Sequence, residues 1–411
     1  MKIAIVVGAF PVVSQTFIVN QINALLDLGH QVQVFSYKKT KDPVVHKSLH
    51  THHLLENVVY FEKAPKSKIK RVISFIKWVL AHFNNIQWMH FFKTLNVFKY
   101  GKQVLTLHLF FEAQWFLKSK DFDIVHVHFG PYASRIAYLK ANNILPNNTK
   151  FVATFHGYDL EPDKLSQYKL SYKYLLKQAN TFTVNTPYLL GLLKQVNIDK
   201  KPIHILPVGL DTYFFKRNKT KKKSNYFEIV FCGRLIAFKA PDIAVLILYA
   251  LHKKGYHHVR LHIIGTGPMF KQLENQVETL ELKNSILFYG SQNQDVIRHR
   301  FEQSDIFLLP GIHDPKTGRA ETQGLVIQEA QAMELPVVVS DAGGMKYGLL
   351  PNESGFVVEE GNIEGFVTVI EQLILNPDRK IDMGRKGIEI AKTYDNKILI
   401  EKLLGIYENM N

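Results

Sequence analysis

The most constraining feature of the chain is a repeated alternation. Short apolar runs rich in Val, Ile and Phe are each followed by a longer stretch with helical period. Parallel strands need a crossover of a dozen or more residues, usually a helix, so this pattern specifies parallel sheets covered by helices. In the first half the predicted strands are 2–7, 31–36, 57–61, 123–128, 150–155, 181–184 and 203–206. In the second half they are 228–232, 259–264, 285–289, 305–309, 336–339 and 355–358. The expected fold is α/β, with two Rossmann-like units facing one cleft, and 411 residues suit two units better than one. The boundaries fall at 1–208 for the first unit and 209–393 for the second, with a terminal helix, 394–411, placed to cross back to the first. Between the halves, "FKRNKTKKKSNYF" (215–227) is polar and basic without an apolar period, and reads as a linker or exposed loop.

The opening "MKIAIVVGAFPVV" imitates a secretory leader, but no small-residue cleavage site follows. It reads instead as a first strand. The next stretch, "SQTFIVNQINALLDLG", reads as a helix capped by Ser14 and stopped by Gly29. No run of 18 or more uncharged apolar residues is present, so no transmembrane helix is predicted. The one cysteine, Cys232, lies in a strand-like run, which excludes an internal disulfide framework and fits a reducing cytosol. The net charge of +15 calls for an anionic partner: nucleic acid, anionic lipid or a phosphorylated small molecule.

Residues 66–118 break the alternation. They hold nine Lys and Arg, many aromatics and a single acid, Glu112. Ile69, Val72, Ile73, Ile76, Val79, Leu80 and Phe83 form a helical stripe expected to pack inward, with Trp78 on the opposite side near Arg71. Aromatic and basic residues together suit the surface of an anionic membrane, and ordinary helices covering the sheet are the equal alternative.

Ligands in open α/β sheets bind beyond the carboxyl ends of the strands, so residues just after strands carry the functional search. In "FCGRLIAFKAPD" a strand ends at Gly233, and Arg234 and Lys239 follow before Pro241 opens a helix. Two fixed cations there can hold a diphosphate. In "GRAETQGLVIQEAQAMELPVVVSDAGG", Glu321 and Glu329 flank Gly324, and the free amides of a helix start make an anion site. Eight helical positions span about 12 Å, wider than the roughly 5–9.5 Å of a glycosidase carboxyl pair. A long ligand, touched by a carboxylate near each end with its anionic middle over the helix start, fits the spacing better.

The R-x4-K of "GRLIAFKAPD", the E-x7-E of "ETQGLVIQE" and the following "PVVVSDAGG" resemble the retaining GT-B glycosyltransferases of family 4, also called group 1. The likeness covers nearly the whole chain. "FPVVSQTFI", "HVHFG" and "TFHGYDL" resemble the branch that builds bacterial exopolysaccharides, including colanic-acid-type polymers. The resemblance implies a retaining, metal-independent hexosyltransferase without a cofactor. Its donor would be a nucleoside-diphosphate sugar, with UDP favoured, and its acceptor a glycan or polyprenyl-diphosphate-linked saccharide at the cytoplasmic face of the membrane.

By the same resemblance Arg234 and Lys239 hold the donor diphosphate, Glu321 the transferred sugar and Glu329 the ribose. The amides of Gln323, Gly324 and Leu325 cap the phosphates, while Gly233 and Gly265 border the nucleotide. His156 reaches the donor from the first unit, with Asp159 as a helper in its loop. Ala240 stands where the family commonly has Gly, and Thr322-Gln323 where Gly often follows the first Glu. Gln15 replaces a frequent Glu, and Gly8 stands alone where a pair is usual.

Other signals are weaker. His126 and His128 alternate on one strand face, where core packing rivals an acceptor role. "DFD" (121–123) precedes its strand, away from the cleft, and argues against a metal site. Asp341, Gly343 and Gly344 follow a strand and border the expected sugar end. A nucleotide-sugar epimerase or hydrolase fits the same cleft. A nucleic-acid-binding protein explains the charge but not the paired acids, so no nucleic-acid partner is expected.

Overall fold

The computed structural model describes residues 1–12, 15–40, 49, 51–118, 122–146, 148–197, 200–218 and 224–410, except for the side chain of Gln103. Ser14, Asp121 and positions 219–223 of the basic stretch lie outside the described residues. The first sheet contains β1 (Lys2–Val7), β2 (Gln31–Ser36), β3 (Val58–Tyr60), β4 (Ile124–His128), β5 (Lys150–Phe155), β6 (Thr181–Val184) and β7 (Ile203–Ile205). The second contains β8 (Phe227–Cys232), β9 (Val259–Ile264), β10 (Ile286–Gly290), β11 (Ile306–Leu309), β12 (Val337–Ser340) and β13 (Gly355–Val358).

All ladders between these strands are parallel, in the orders β3-β2-β1-β4-β5-β6-β7 and β10-β9-β8-β11-β12-β13. Both are doubly wound, so the strand order reverses between β1 and β4 and again between β8 and β11. The central strands are buried on both faces, as β4 and β11 are throughout, which explains the unbroken apolar run of β11; β4 buries His126 and His128 with its apolar residues.

The helix Thr16–Asp27 begins after Gln15 without a side-chain cap and ends before Gly29, whose φ of 79° terminates it. The helix Asn396–Glu408 lies against Thr16–Asp27, and its Ile400, Leu403 and Tyr407 join the core around Ile3, Ile18 and Ile22 of the first unit.

Residues 66–118 form short helices over the first sheet, and here one expectation is reversed. In the helix Lys68–His82 the aliphatic stripe faces outward: Leu80 is 71 % exposed, and Ile69, Val72, Ile73, Ile76 and Phe83 are exposed with it. Trp78, 8 % exposed, packs inward, and of the stripe only Val79 turns toward the core. Phe75 and Trp78 pack edge-to-face with Phe110, with ring centroids 4.7 and 5.0 Å apart. Arg71 lies on the same inward side, donating to the carbonyls of Pro65, Lys66 and Thr106. Positions 71, 75, 78 and 82 make a second helical stripe. Two aromatic rings packed on Phe110, and a guanidinium satisfied by the carbonyls of Pro65, Lys66 and Thr106, decide which stripe is buried.

Candidate active site

The loops after β8 and β11 meet at the switch point of the second sheet. After β8, Arg234 is exposed and Lys239 is almost wholly buried. A 3-10 turn, Ala237–Lys239, carries Lys239 inward, and Ala240 follows with φ 49° and ψ 53° before the helix Pro241–Lys253. Gly265, at the end of β9, is required by close approach, since a Cβ there would lie 1.9 Å from the Gly233 carbonyl oxygen. Gly233 and Gly265 therefore fit the two strand ends together.

After β11, the chain runs to Gly324, whose φ of 71° turns it into the helix Leu325–Ala332. The Glu321 carboxylate forms an ion pair with Lys239 Nζ. It also accepts the amide N–H groups of Thr322 at 3.1 Å, Gly324 at 3.1 Å and Gln323 at 3.5 Å. Burial pushes the Glu321 carboxyl upward, but Lys239 and these amides outweigh it and hold the group below the ordinary range. An anion thus already sits in the cradle of amides and cation.

Glu329, one helical stretch further on, behaves oppositely. Burial raises its pKa from 4.5 to about 7 against the attraction of Lys239. One carboxylate is firmly charged and the other is poised near neutrality, with the same lysine between them. Cys232 lies beside Glu329, and burial followed by that charge pushes its thiol up to about 12. It is a packing residue rather than a nucleophile.

Backbone contacts lock these loops. Gly344 N–H donates to the Glu321 carbonyl at 2.7 Å, and a Cβ on Gly343 or Gly344 would strike the Glu321–Thr322 backbone. Asp341 turns away from the cavity lining and accepts the Glu360 amide at 2.9 Å. Asp123 accepts the Lys2 amide at the start of β1, at the end of the sheet opposite the cleft. Among the described residues no group of three or more His, Cys, Asp or Glu is arranged to hold a metal ion.

From the first unit, His156 follows β5. Asp159 shapes its loop by accepting the amides of His156, Gly157 and Gly130 at 3.0, 2.8 and 2.9 Å. That buried carboxylate is committed to backbone. His156, Tyr158 and Tyr188 face Arg234, Arg319 and Glu321 across a cavity of about 120 Å³. This is well below the roughly 300–1,000 Å³ of a site that encloses a sizeable ligand. The conformation is closed.

The contacts that close it involve residues whose identity departs from the expected pattern. Thr322 Oγ1 donates to the His156 carbonyl at 3.0 Å and accepts from Asn185 Nδ2 at 3.1 Å, while Thr186 Oγ1 donates to the Thr322 carbonyl at 2.8 Å. Gln323 brackets the hinge, accepting from Val208 N at 2.7 Å and donating to Val208 O at 2.8 Å. Asn185 and Thr186 escaped the sequence reading, although a polar pair directly after β6 was signal enough to include them.

With this geometry in place, comparison with known proteins defines the class. Residues 14–214 match Glycosyltransferase Family 4, and residues 213–390 match Glycosyl transferases group 1. The protein belongs to this glycosyltransferase family and has the GT-B fold. It is 25% identical over 416 residues, covering both chains fully, to the Salmonella typhimurium protein named "Putative colanic acid biosynthesis glycosyltransferase WcaL". It is also 25% identical to the amylovoran biosynthesis glycosyltransferase AmsK of Erwinia amylovora, over 91% of this chain and 90% of that one. A UDP-Gal:alpha-D-GlcNAc-diphosphoundecaprenol alpha-1,3-galactosyltransferase of Escherichia coli shares 26% identity over 72% of this chain and 77% of its own. Among solved structures, Anabaena HepE in complex with UDP superposes with a TM-score of 0.71 at 15% identity, over 99% of this chain and 100% of HepE.

Proposed function

We propose that this glycosyltransferase moves a hexosyl group, with retention, from a nucleoside-diphosphate sugar to a hydroxyl of a glycan or polyprenyl-diphosphate-linked acceptor in cell-surface polysaccharide synthesis. The observation that carries the reading is the Lys239–Glu321 pair on the amides before the helix Leu325–Ala332, with Glu329 beyond it and Arg234 beside it. The developing charge is on the leaving diphosphate; Arg234 meets it directly, and Lys239 and the Gln323 and Gly324 amides, which the Glu321 carboxylate occupies in this conformation, meet it once that carboxylate turns to the sugar. Two fixed cations supply what a metal ion would otherwise supply, which favours a metal-independent reaction with no further cofactor.

Glu321 then holds sugar hydroxyls and Glu329 the ribose. The acceptor oxygen attacks C1 on the face the diphosphate leaves, and a phosphate oxygen takes the acceptor proton, so no protein nucleophile is needed. UDP is the favoured nucleotide, in keeping with the UDP complex of HepE and the UDP-Gal relative. The closed cavity requires the Thr322 and Gln323 contacts to open for donor entry and to re-form over it, excluding water. The decisive test is Arg234→Ala, expected to lower kcat by about 10²-fold or more, the size of a lost charge-stabilising contact. Near wild-type turnover in the folded variant would overturn the assignment.

We further propose that the acceptor is met at the cytoplasmic surface of an anionic membrane. No helix among the described residues is long and apolar enough to cross a membrane. Beside the outward row of the helix Lys68–His82, the same segment exposes Met89, Phe92, Leu105 and Phe98, the last 100 % exposed. So large an apolar face is unusual on a soluble surface. The segment also exposes Lys66, Lys68, Lys70, Lys77, Lys99 and Lys102 with no acid between 66 and 111, a pattern complementary to anionic headgroups. Flotation with vesicles containing phosphatidylglycerol tests this. Binding at low salt that weakens as salt rises is expected, and absence of binding at low salt refutes it.

A further inference from the structure

Two buried histidines stand behind His156, and the transfer chemistry does not account for them. His126 and His128 project from the same face of β4, and His156 follows β5. Their rings stack in a column, with centroids 4.6 Å apart for His126 and His128 and 5.3 Å for His128 and His156. Burial keeps the column neutral: His128 is pushed down to about 3, and His126 and His156 fall well below the ordinary imidazole range. Each ring therefore carries one N–H, and its neighbours decide which nitrogen holds it.

Both nitrogens of His126 are occupied, Nδ1 at 2.6 Å from the Tyr407 hydroxyl and Nε2 at 2.5 Å from the Thr154 hydroxyl. Among the described residues His128 has one polar contact, Nδ1 to His156 Nε2 at 3.0 Å, and its buried Nε2 has no partner. Only one proton lies between His128 and His156. If His156 donated it, the remaining proton of His128 would sit on Nε2 as a buried N–H with no acceptor. Orphaned buried donors are rarer than under-satisfied acceptors.

We infer that His128 Nδ1–H donates to His156 Nε2, so that His128 is a positioning residue fixing His156 as its Nδ1–H tautomer. The consequence for the proposed reaction is definite. His156 Nε2 is committed inward, and the only polar atom the ring can offer a substrate is an N–H. His156 then binds an oxygen of the donor, a sugar hydroxyl or a phosphoryl oxygen, and is not a base for the acceptor hydroxyl. Phe17 and Phe129, with ring centroids 4.9 and 4.6 Å from that of His156, keep the ring in this orientation.

The tautomer is measurable in the full-length protein without substrate, so failure here is distinguishable from failure of the transferase reading. Histidine side-chain ¹⁵N NMR, with His156 assigned by loss of its signals in His156→Gln, is expected to show a protonated Nδ1 and a bare Nε2. A proton on Nε2 overturns the inference. His128→Phe keeps the bulk and removes the donor. It is expected to leave His156 in mixed tautomers and to lower kcat about tenfold with the donor KM little changed, and His128→Gln, which can donate, is expected to restore most of both. Unchanged tautomer and kcat in folded His128→Phe would also overturn it. If that variant does not fold, the wild-type spectrum still decides.

Discussion

The cradle around Lys239 and the helix Lys68–His82 both invert the usual rule of burial, in opposite directions. In the cradle, a lysine is buried and its carboxylate partner largely so, where charged groups seldom sit unless paired. On the helix, a row of aliphatic side chains that should be buried faces outward. The first inversion is stable within the chain, because ion pair and amides satisfy each other. The second is not satisfied by any of the described residues. Internally completed charge marks a site that takes a small ligand, whereas uncompleted apolar surface marks one that takes a large partner.

The largest expected effect tests how the cradle is completed. Arg234 is exposed and Lys239 buried, so the two cations should fail differently. Arg234→Ala should lose about 10²-fold in kcat with its melting temperature unchanged. Lys239→Ala should lose at least as much in kcat and also destabilise the fold, by up to about 3 kcal/mol, because the largely buried Glu321 loses its counter-ion and keeps only the backbone amides. Restoration of stability, but not activity, in Lys239→Met/Glu321→Gln would sharpen the distinction. Equal melting temperatures for the two alanine variants would break it.

The outward helix should respond in the converse way. Ile76→Glu/Leu80→Glu puts two charges on exposed positions, so urea melts should move by less than about 1 kcal/mol. Vesicle partitioning should fall by about 10²-fold, from the loss of two inserting side chains. Turnover on a water-soluble acceptor should stay the same. A large loss of stability would mean that this face is covered within the protein.

Within the cradle, Glu329 gives a pH-dependent test. Its pKa rises from 4.5 to about 7 on folding, so the folded state binds the proton more tightly than the unfolded chain. Its contribution to stability is full below the unfolded value and is lost as pH climbs through the folded one. Glu329→Gln should therefore match wild type near pH 4 and be more stable at pH 8, by up to about 3 kcal/mol. The same variant should bind the nucleoside diphosphate more weakly. A stability gap independent of pH would show that the carboxyl is not held in its neutral form.

The two regions also differed in legibility. Six of the thirteen strands, among them Lys2–Val7, Lys150–Phe155 and Val259–Ile264, coincide with their predicted limits, because a buried parallel strand is an apolar run whose ends are polar. Arg234, Lys239, Glu321 and Glu329 were legible as strand-end and helix-start residues. Their division of labour was not: Glu321 takes Lys239 through a contact between residues 82 positions apart. The helix Lys68–His82 was legible as a helix but not in its rotation, since its sequence holds two stripes. Which stripe is buried depends on Phe110, outside the helix. Thr322 and Gln323 stood out as departures from a pattern, but only the packed domains show that they form the closing contacts.

Ala240 is the last such departure, and it tests whether the cradle is under backbone strain. The residue sits with φ 49° and ψ 53°, between the turn that delivers Lys239 and the helix opened by Pro241. In that left-handed conformation a Cβ crowds the carbonyl oxygen that follows it, at about 1–2 kcal/mol for a residue other than glycine. Glycine removes that strain but makes the unfolded chain more flexible, which takes back about 0.4–1 kcal/mol. The Ala240 methyl is fully buried, so its packing is lost as well. Ala240→Gly should therefore stabilise the protein by less than about 1 kcal/mol, with kcat unchanged if Lys239 keeps its place. A loss of both stability and kcat would show instead that the Ala240 methyl wedges Lys239 against Glu321, and that the cradle owes its geometry to packing behind the cation as much as to the ion pair.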